Sequence, residues 1–289
     1  MALIAQTKER YLRSPRIEAL ADGARLWVVA WERDGERLLS FPLGADGEPG
    51  EPTAGPLLRG IVALAPGSPP EPSDDAADEL RAASRGAFVE VVHTGGVSEV
   101  WMSRGGGDRI LVFRARCTVA SPAVADAPNG GTWVAFHHDL REDVGTVDVA
   151  KWVALRFVTT DRRVMEPAAP MLGRDRDRAD VEQSFEFPAL AVSADGSLAL
   201  FGRGSHNFWR QDLNATGFSP RVGISDGEWG SRGRRVSCGM LGDGALLVAR
   251  RDRQGIVIDR QGAPSGGAPV LEPAEIDLTT ALVLATGER

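Results

Sequence analysis

Apolar and polar positions along this chain recur in short runs of β character. Placed in register at Pro15, Phe88, Pro122, Pro188 and Val236, five apolar stretches are each followed seven and eight residues later by Asp22-Gly23, Gly95-Gly96, Asn129-Gly130, Asp195-Gly196 and Asp243-Gly244. Such pairs tolerate positive φ at both central positions of a tight hairpin turn. Each turn leads into a second strand: LWVVAW from Leu26, SEVWMS from Ser98, TWVAF from Thr132, LALFG from Leu198 and ALLVAR from Ala245. A polar loop and a third strand follow: ERLLSF from Glu36, RILVFRA from Arg109, VAKWVALRF from Val149, NFWRQDL from Asn207 and GIVIDR from Gly255. These runs are rich in β-branched, aromatic and other apolar residues. A weaker fourth strand suits LLRGIVA from Leu57 and SPRVGI from Ser219.

Five units of three to four antiparallel strands predict an all-β chain, a five-bladed β-propeller forming one domain over residues 1–289. The strands are not separated by the helical patterns that parallel crossovers need. A two-sheet sandwich is the second architecture. Unit spacings of 73, 34, 66 and 48 residues point to a diverged array with insertions. One insertion, at about residues 65–87, opens Pro-rich and acidic as a loop, and its end, AADELRAAS, suits a short helix. The tail EIDLTTALVLAT, from Glu275, reads as a strand that would join an N-terminal blade and close the ring.

The form P-x-h-x-x-x-x-D-G-x-h-w-v-a-w, with h apolar, resembles the blade pattern of sialidase-like and five-bladed glycosidase-like propellers over most of the chain. For a sialidase, the resemblance implies a tyrosine nucleophile, three arginines on a substrate carboxylate and S-x-D-x-G-x-x-W turns. The single tyrosine, Tyr11, precedes the first recognisable blade, and that turn motif does not occur. Arg16 and Arg221, in SPRI and SPRV, are the arginines a blade pattern would bring near an axis. The resemblance is one of fold, and a fold does not carry function by itself.

A formal charge of −7 argues against a broad nucleic-acid surface, which needs a concentrated positive face. Lysine occurs only at Lys8 and Lys151, so arginine supplies nearly all the positive charge. MALIAQTKERYLRSPR lacks the apolar core of a secretory signal, and no run approaches the length of a membrane span. Cys117 and Cys238 read as two free thiols. Together these features predict a cytoplasmic protein with no cofactor, no metal and no membrane or nucleic-acid partner.

Candidate chemistry concentrates where second strands meet polar loops. His137-His138-Asp139 ends one such strand, His206 lies in the matching loop of the next unit, and Asp34 holds a similar place in the first. His137 and His138 read as strand-end residues, one facing in and one out. Alternatively they meet His206 at one mouth, as an acid/base or binding cluster, or in its weaker version a metal site, for which HHD lacks a partner spacing. His93, just before a turn, is expected at the opposite end of its blade. Paired carboxylates for glycoside cleavage would come from Asp139 and Glu186. Trp27, Trp101, Trp133 and Trp152 are expected in the blade core, whereas Trp209, Trp229 and Arg235 lie nearer loops and suit a contact surface. With no complete catalytic set, the leading expectation is a non-catalytic module that presents its loops to a protein partner. The alternative is a carbohydrate-active hydrolase or lyase. A lectin-like propeller would need pockets repeated between blades, and these loops differ too much.

Overall fold

The structure is a computed structural model that describes residues 1–7, 11–20, 23–32, 35–57, 81–84, 87–104, 108–139, 152–169, 185–204, 207–224, 236–251 and 254–276. Every helix or strand among them is a β-strand. After β1 (Ala2–Ala5) come five antiparallel sheets in chain order. The first holds β2 (Tyr11–Leu20), β3 (Gly23–Glu32), β4 (Gly35–Leu43) and β5 (Thr53–Leu57). The second holds β6 (Arg81–Ser84), β7 (Ala87–Thr94), β8 (Val97–Arg104) and β9 (Ile110–Ala115). The third holds β10 (Val119–Asp126), β11 (Thr132–His138), β12 (Trp152–Val158) and β13 (Val164–Pro167). The fourth holds β14 (Glu186–Val192), β15 (Leu198–Arg203) and β16 (Phe208–Asn214), with β17 (Gly217–Phe218) and β18 (Val222–Gly223) both beside β16. The fifth holds β19 (Val236–Met240), β20 (Leu246–Arg251) and β21 (Gly255–Gln261), and β1 pairs with β21 to complete it. A last strand, β22 (Leu271–Pro273), returns to pair with β13 in the third sheet.

The sheets pack face to face, and the third, fourth and fifth bury apolar residues on both sides. Val89, Val100 and Met102 of the second sheet pack against Val134, Phe136 and Val158 of the third. Trp133, Leu155 and Phe157, from the other side of the third sheet, meet Leu198, Leu200 and Leu213 of the fourth. Phe201 and Phe208 then meet Val236, Leu246 and Val248 of the fifth. Leu26, Val28, Leu39 and Phe41 of the first sheet pack on Leu247, Ala249, Ile256 and Ile258 of the fifth, so the chain's two ends share a core. The first strands also neighbour one another around the assembly: β6 with β10, β10 with β14, β14 with β19 and β19 with β2. This is the arrangement of a β-propeller, with the cores lying between sheets.

The hairpin turns differ from the two-residue expectation. At Ala127–Gly130, Ser193–Gly196 and Leu241–Gly244 the fourth residue donates to the carbonyl of the first at 2.9–3.0 Å. In these turns only the glycine takes positive φ, at 82°, 86° and 82°. The preceding Asn129, Asp195 and Asp243 instead accept, through side-chain Oδ1, the backbone N–H two residues on. These are type I turns closed by a glycine bulge, with an Asx cap. The Gly95-Gly96 turn has positive φ at both positions, 59° and 78°. First strands share a second device. In β2, β10 and β14, two residues face one on the neighbouring strand, between Arg13 and Arg16, Ala120 and Ala123, and Glu186 and Ala189. Each bulge holds a proline, Pro15, Pro122 or Pro188, where a missing N–H costs no ladder bond. Ser121 and Phe187, directly before their prolines, lie at φ 53° and 52°.

The second sheet corrects the unit assigned to it. The strand beginning near Phe88 is the second of its sheet, and the first is β6, in the segment expected to end as a helix. The Gly95-Gly96 turn therefore joins strands two and three, at the opposite end from the Asn-Gly and Asp-Gly turns. Closure also differs from the expectation, because β1 completes the last sheet. The tail from residue 277 onward lies outside the described residues. So does most of the Pro-rich insertion.

Between β21 and β22 the chain is fastened to the fourth sheet's first turn. Asp195 Oδ2 accepts the N–H groups of Gly266 at 3.1 Å and Gly267 at 3.0 Å, while Oδ1 accepts from Ser197 N and from the Ser193 and Ser197 hydroxyls. The Ser193 hydroxyl, followed by the Ser197 donors and the Gly267 N–H, holds this carboxyl well below the usual carboxylate range. A group whose folded pKa is depressed stabilises fully above its unfolded pKa of about 3.9 and loses that contribution as pH falls towards the folded value. The urea midpoint of Asp195→Asn should therefore lie below that of the wild type by a constant amount from pH 5 to pH 8, the gap closing in acid. A gap independent of pH down to pH 2 would contradict this.

Candidate functional site

Both histidines of the HHD run are buried, against the expectation of one in and one out. His137 accepts the backbone N–H of Phe187 on Nδ1 at 3.1 Å and meets the Phe187 ring edge-on, centroids 5.1 Å apart. It thereby satisfies an N–H in the bulge of the next sheet. His138 stacks on Phe113 at 6.0 Å. These contacts give both side chains a packing role. His206, Trp229, Arg235 and Asp34 lie outside the described residues. Glu186 is half-buried at the start of β14, opposite Arg203. Trp209 sits on β16 rather than in a loop and packs, half-buried, against the core between the third and fourth sheets. Of the four tryptophans expected in the core only Trp133 is fully buried, whereas Trp27, Trp101 and Trp152 are half-buried.

Asp139 is the member of the run that faces a cavity. A pocket of about 520 Å³ opens where β7 turns into β8, where the connection from β9 enters β10, and where β11 ends. It is lined by His93, Gly96, Val97, Ser98, Arg116, Cys117, Thr118 and Asp139. His93 thus shares a site with Asp139, contrary to the expectation that it lies at the far end of its blade. The cause is the shifted strand assignment, since β7 runs opposite to a first strand.

Hydrogen bonds fix the pocket's inner wall. Ser98, 1% exposed, donates its hydroxyl proton to the Cys117 carbonyl. A hydroxyl has one proton to give, so the 2.8 Å contact to His93 Nδ1 requires the imidazole to be the donor. That sets the neutral tautomer and leaves Nε2 as the ring's free acceptor. It also removes Ser98 as a nucleophile, because its proton is committed away from the histidine. Asp139 accepts the Thr118 N–H on Oδ1 and donates its own N–H to the Thr118 carbonyl at 3.1 Å, which ties the end of β11 to the start of β10. Burial, followed by the nearby Asp139 charge, pushes the Cys117 thiol up to about 12. Burial likewise pushes Cys238 up to about 12. Both cysteines are free, as expected, and both are protonated near neutral pH, the inert form of the residue. No group of three or more His, Cys, Asp or Glu among the described residues could hold a metal ion. No helix among them is long and apolar enough to cross a membrane.

The pocket therefore presents an imidazole with a fixed tautomer, one carboxylate, a guanidinium and a hydroxyl around one opening. Sequence reasoning singled out Asp139 but passed over Arg116 and Thr118, for which a strand-end connector gives no local signal.

No protein-family model matches the chain, and no curated protein matches it in sequence. Solved structures do resemble it. A protein of unknown function from Dyadobacter fermentans is 13% identical, with a TM-score of 0.47, and the match covers 96% of this chain and 86% of that one. A GH43_1 enzyme from Xanthomonas citri is 11% identical, with a TM-score of 0.47 and coverage of 95% and 96%. A mutant of AofleA from Arthrobotrys oligospora is 12% identical, with a TM-score of 0.38 and coverage of 93% and 78%.

Proposed function

We propose that the chain is a single-domain, five-bladed β-propeller that acts on carbohydrate at the cavity between its second and third sheets. The observation that supports this reading is the cavity itself: about 520 Å³, within the range of small-molecule sites, with His93, Arg116, Thr118 and Asp139 on its wall. Sugar hydroxyls both donate and accept. A wall that mixes a carboxylate, a hydroxyl, an imidazole and a guanidinium can satisfy them in either sense. Asp139 and His93 are the groups able to move a proton, as a hydrolase or lyase requires. This reading takes precedence over a non-catalytic protein-binding module. Trp209, which suggested such a surface, is packed into a core.

The test is a panel of oligosaccharides incubated with wild type, Asp139→Asn and His93→Gln, followed by chromatography of the products. Asparagine can still accept the Thr118 N–H, so the fold should persist while turnover falls by about 10²-fold or more. Turnover unchanged in both variants would remove these residues from the chemistry. No turnover or binding of any glycan, with one stoichiometric protein partner captured instead, would return the chain to the interaction-module reading.

A further inference from the structure

We infer that the saccharide taken by this pocket carries a carboxylate, and that Arg116 is the residue that selects it. The inference rests on the carbohydrate reading above and deepens it. Several arginines on the sheets are matched to acids: Arg114 to Glu99 at 3.1 Å, Arg156 to Glu166 at 2.7 Å, Arg210 to Asp212 at 2.8 Å. Arg116 is exposed, lines the cavity and has no ion-pair partner among the described residues. Asp139 lines the same cavity, yet the two form no salt bridge, and one Asp139 oxygen is already taken by the Thr118 N–H. The site thus keeps a positive fork and a negative group apart within one opening.

A neutral sugar would meet that fork with uncharged hydroxyl acceptors and leave its charge unmatched. A uronate fills both roles, its planar carboxylate accepting two parallel N–H bonds from Arg116 while its ring hydroxyls donate to Asp139. His93 adds a further polar contact through Nε2, since Nδ1 is held by Ser98. On a molecule of net charge −7, an arginine at a cavity mouth is also a local attractor for an anion.

Titration calorimetry would compare galacturonate and glucuronate oligosaccharides with their neutral hexose counterparts and with a hexose 6-phosphate, on wild type, Arg116→Gln, Arg116→Lys and Asp139→Asn. The expected result is a preference for uronate that falls about 10- to 100-fold in Arg116→Gln, recovers in part in Arg116→Lys, and weakens with added salt. Equal affinity for neutral and acidic sugars, with the ratio unmoved by Arg116→Gln, would overturn the inference and leave the carbohydrate reading standing. Preference for the 6-phosphate over both uronates would also overturn it, making this a phosphate site. Failure of every saccharide to bind would overturn the inference together with the reading beneath it.

Discussion

Gly255→Ala is expected to strip the first strand from the fifth sheet and destabilise the whole protein. Gly255 opens β21 opposite Ala5 of β1, at φ 150°. A Cβ there would stand 1.9 Å from the Ile4 carbonyl oxygen and 2.9 Å from Gln6 N. Both are backbone atoms of a paired strand, so no side-chain rotation relieves the clash. The relief available is withdrawal of β1, which gives up its ladder, the Gln6 N–H bond to the Gln254 carbonyl at 2.7 Å, and burial of Ala2 against the core shared by the first and fifth sheets. Overpacking and backbone strain each cost about 1–3 kcal/mol, so a loss of about 2–6 kcal/mol is expected in urea unfolding. Deleting residues 1–6 should cost a similar amount, and the two changes together should cost no more than either alone, because both remove one contact. Full additivity would show that β1 remains docked in the alanine variant.

The other large effect belongs to Trp133→Ala, expected to cost about 3–5 kcal/mol. Trp133 is 2% exposed, its ring lies 5.0 Å from that of Phe157, and both belong to the core between the third and fourth sheets. That core cannot close over a lost indole without moving two sheets. Trp101→Ala supplies the contrast. Its half-exposed ring carries Arg109 at 4.8 Å from its centroid, and its Nε1 donates to Glu99 at 2.8 Å, so a loss below about 1.5 kcal/mol is expected. Equal losses at the two positions would mean that the cores between sheets do not carry the stability assigned to them.

What could be read from sequence followed from how local its cause was. Asn129-Gly130, Asp195-Gly196 and Asp243-Gly244 marked real hairpins because an Asx cap and a glycine at positive φ are made within five residues. The turn type is not encoded there, since the same dipeptides serve two-residue and bulged turns alike. The second sheet was displaced by one strand because RAAS of β6 has no alternation and favours helix on its own, so that its strand form comes from pairing with β7 and contact with β10. That displacement sent His93 to the wrong end of its sheet and hid the cavity it shares with Asp139. The two histidines beside Asp139 drew attention by their residue type, yet their roles come from Phe187 and Phe113, distant in sequence and invisible to any local pattern.

The pairing of β22 with β13, like that of β1 with β21, has a consequence for synthesis. As the chain leaves the ribosome, its first strand has no partner until residues near Gly255 emerge, and the third sheet keeps an open edge until Leu271–Pro273 are made. Early sheets can form as they appear, but two of their seams wait for β21 and β22. A nascent or truncated chain would therefore carry exposed edges that the finished protein lacks, the kind of surface on which strands from separate chains find one another.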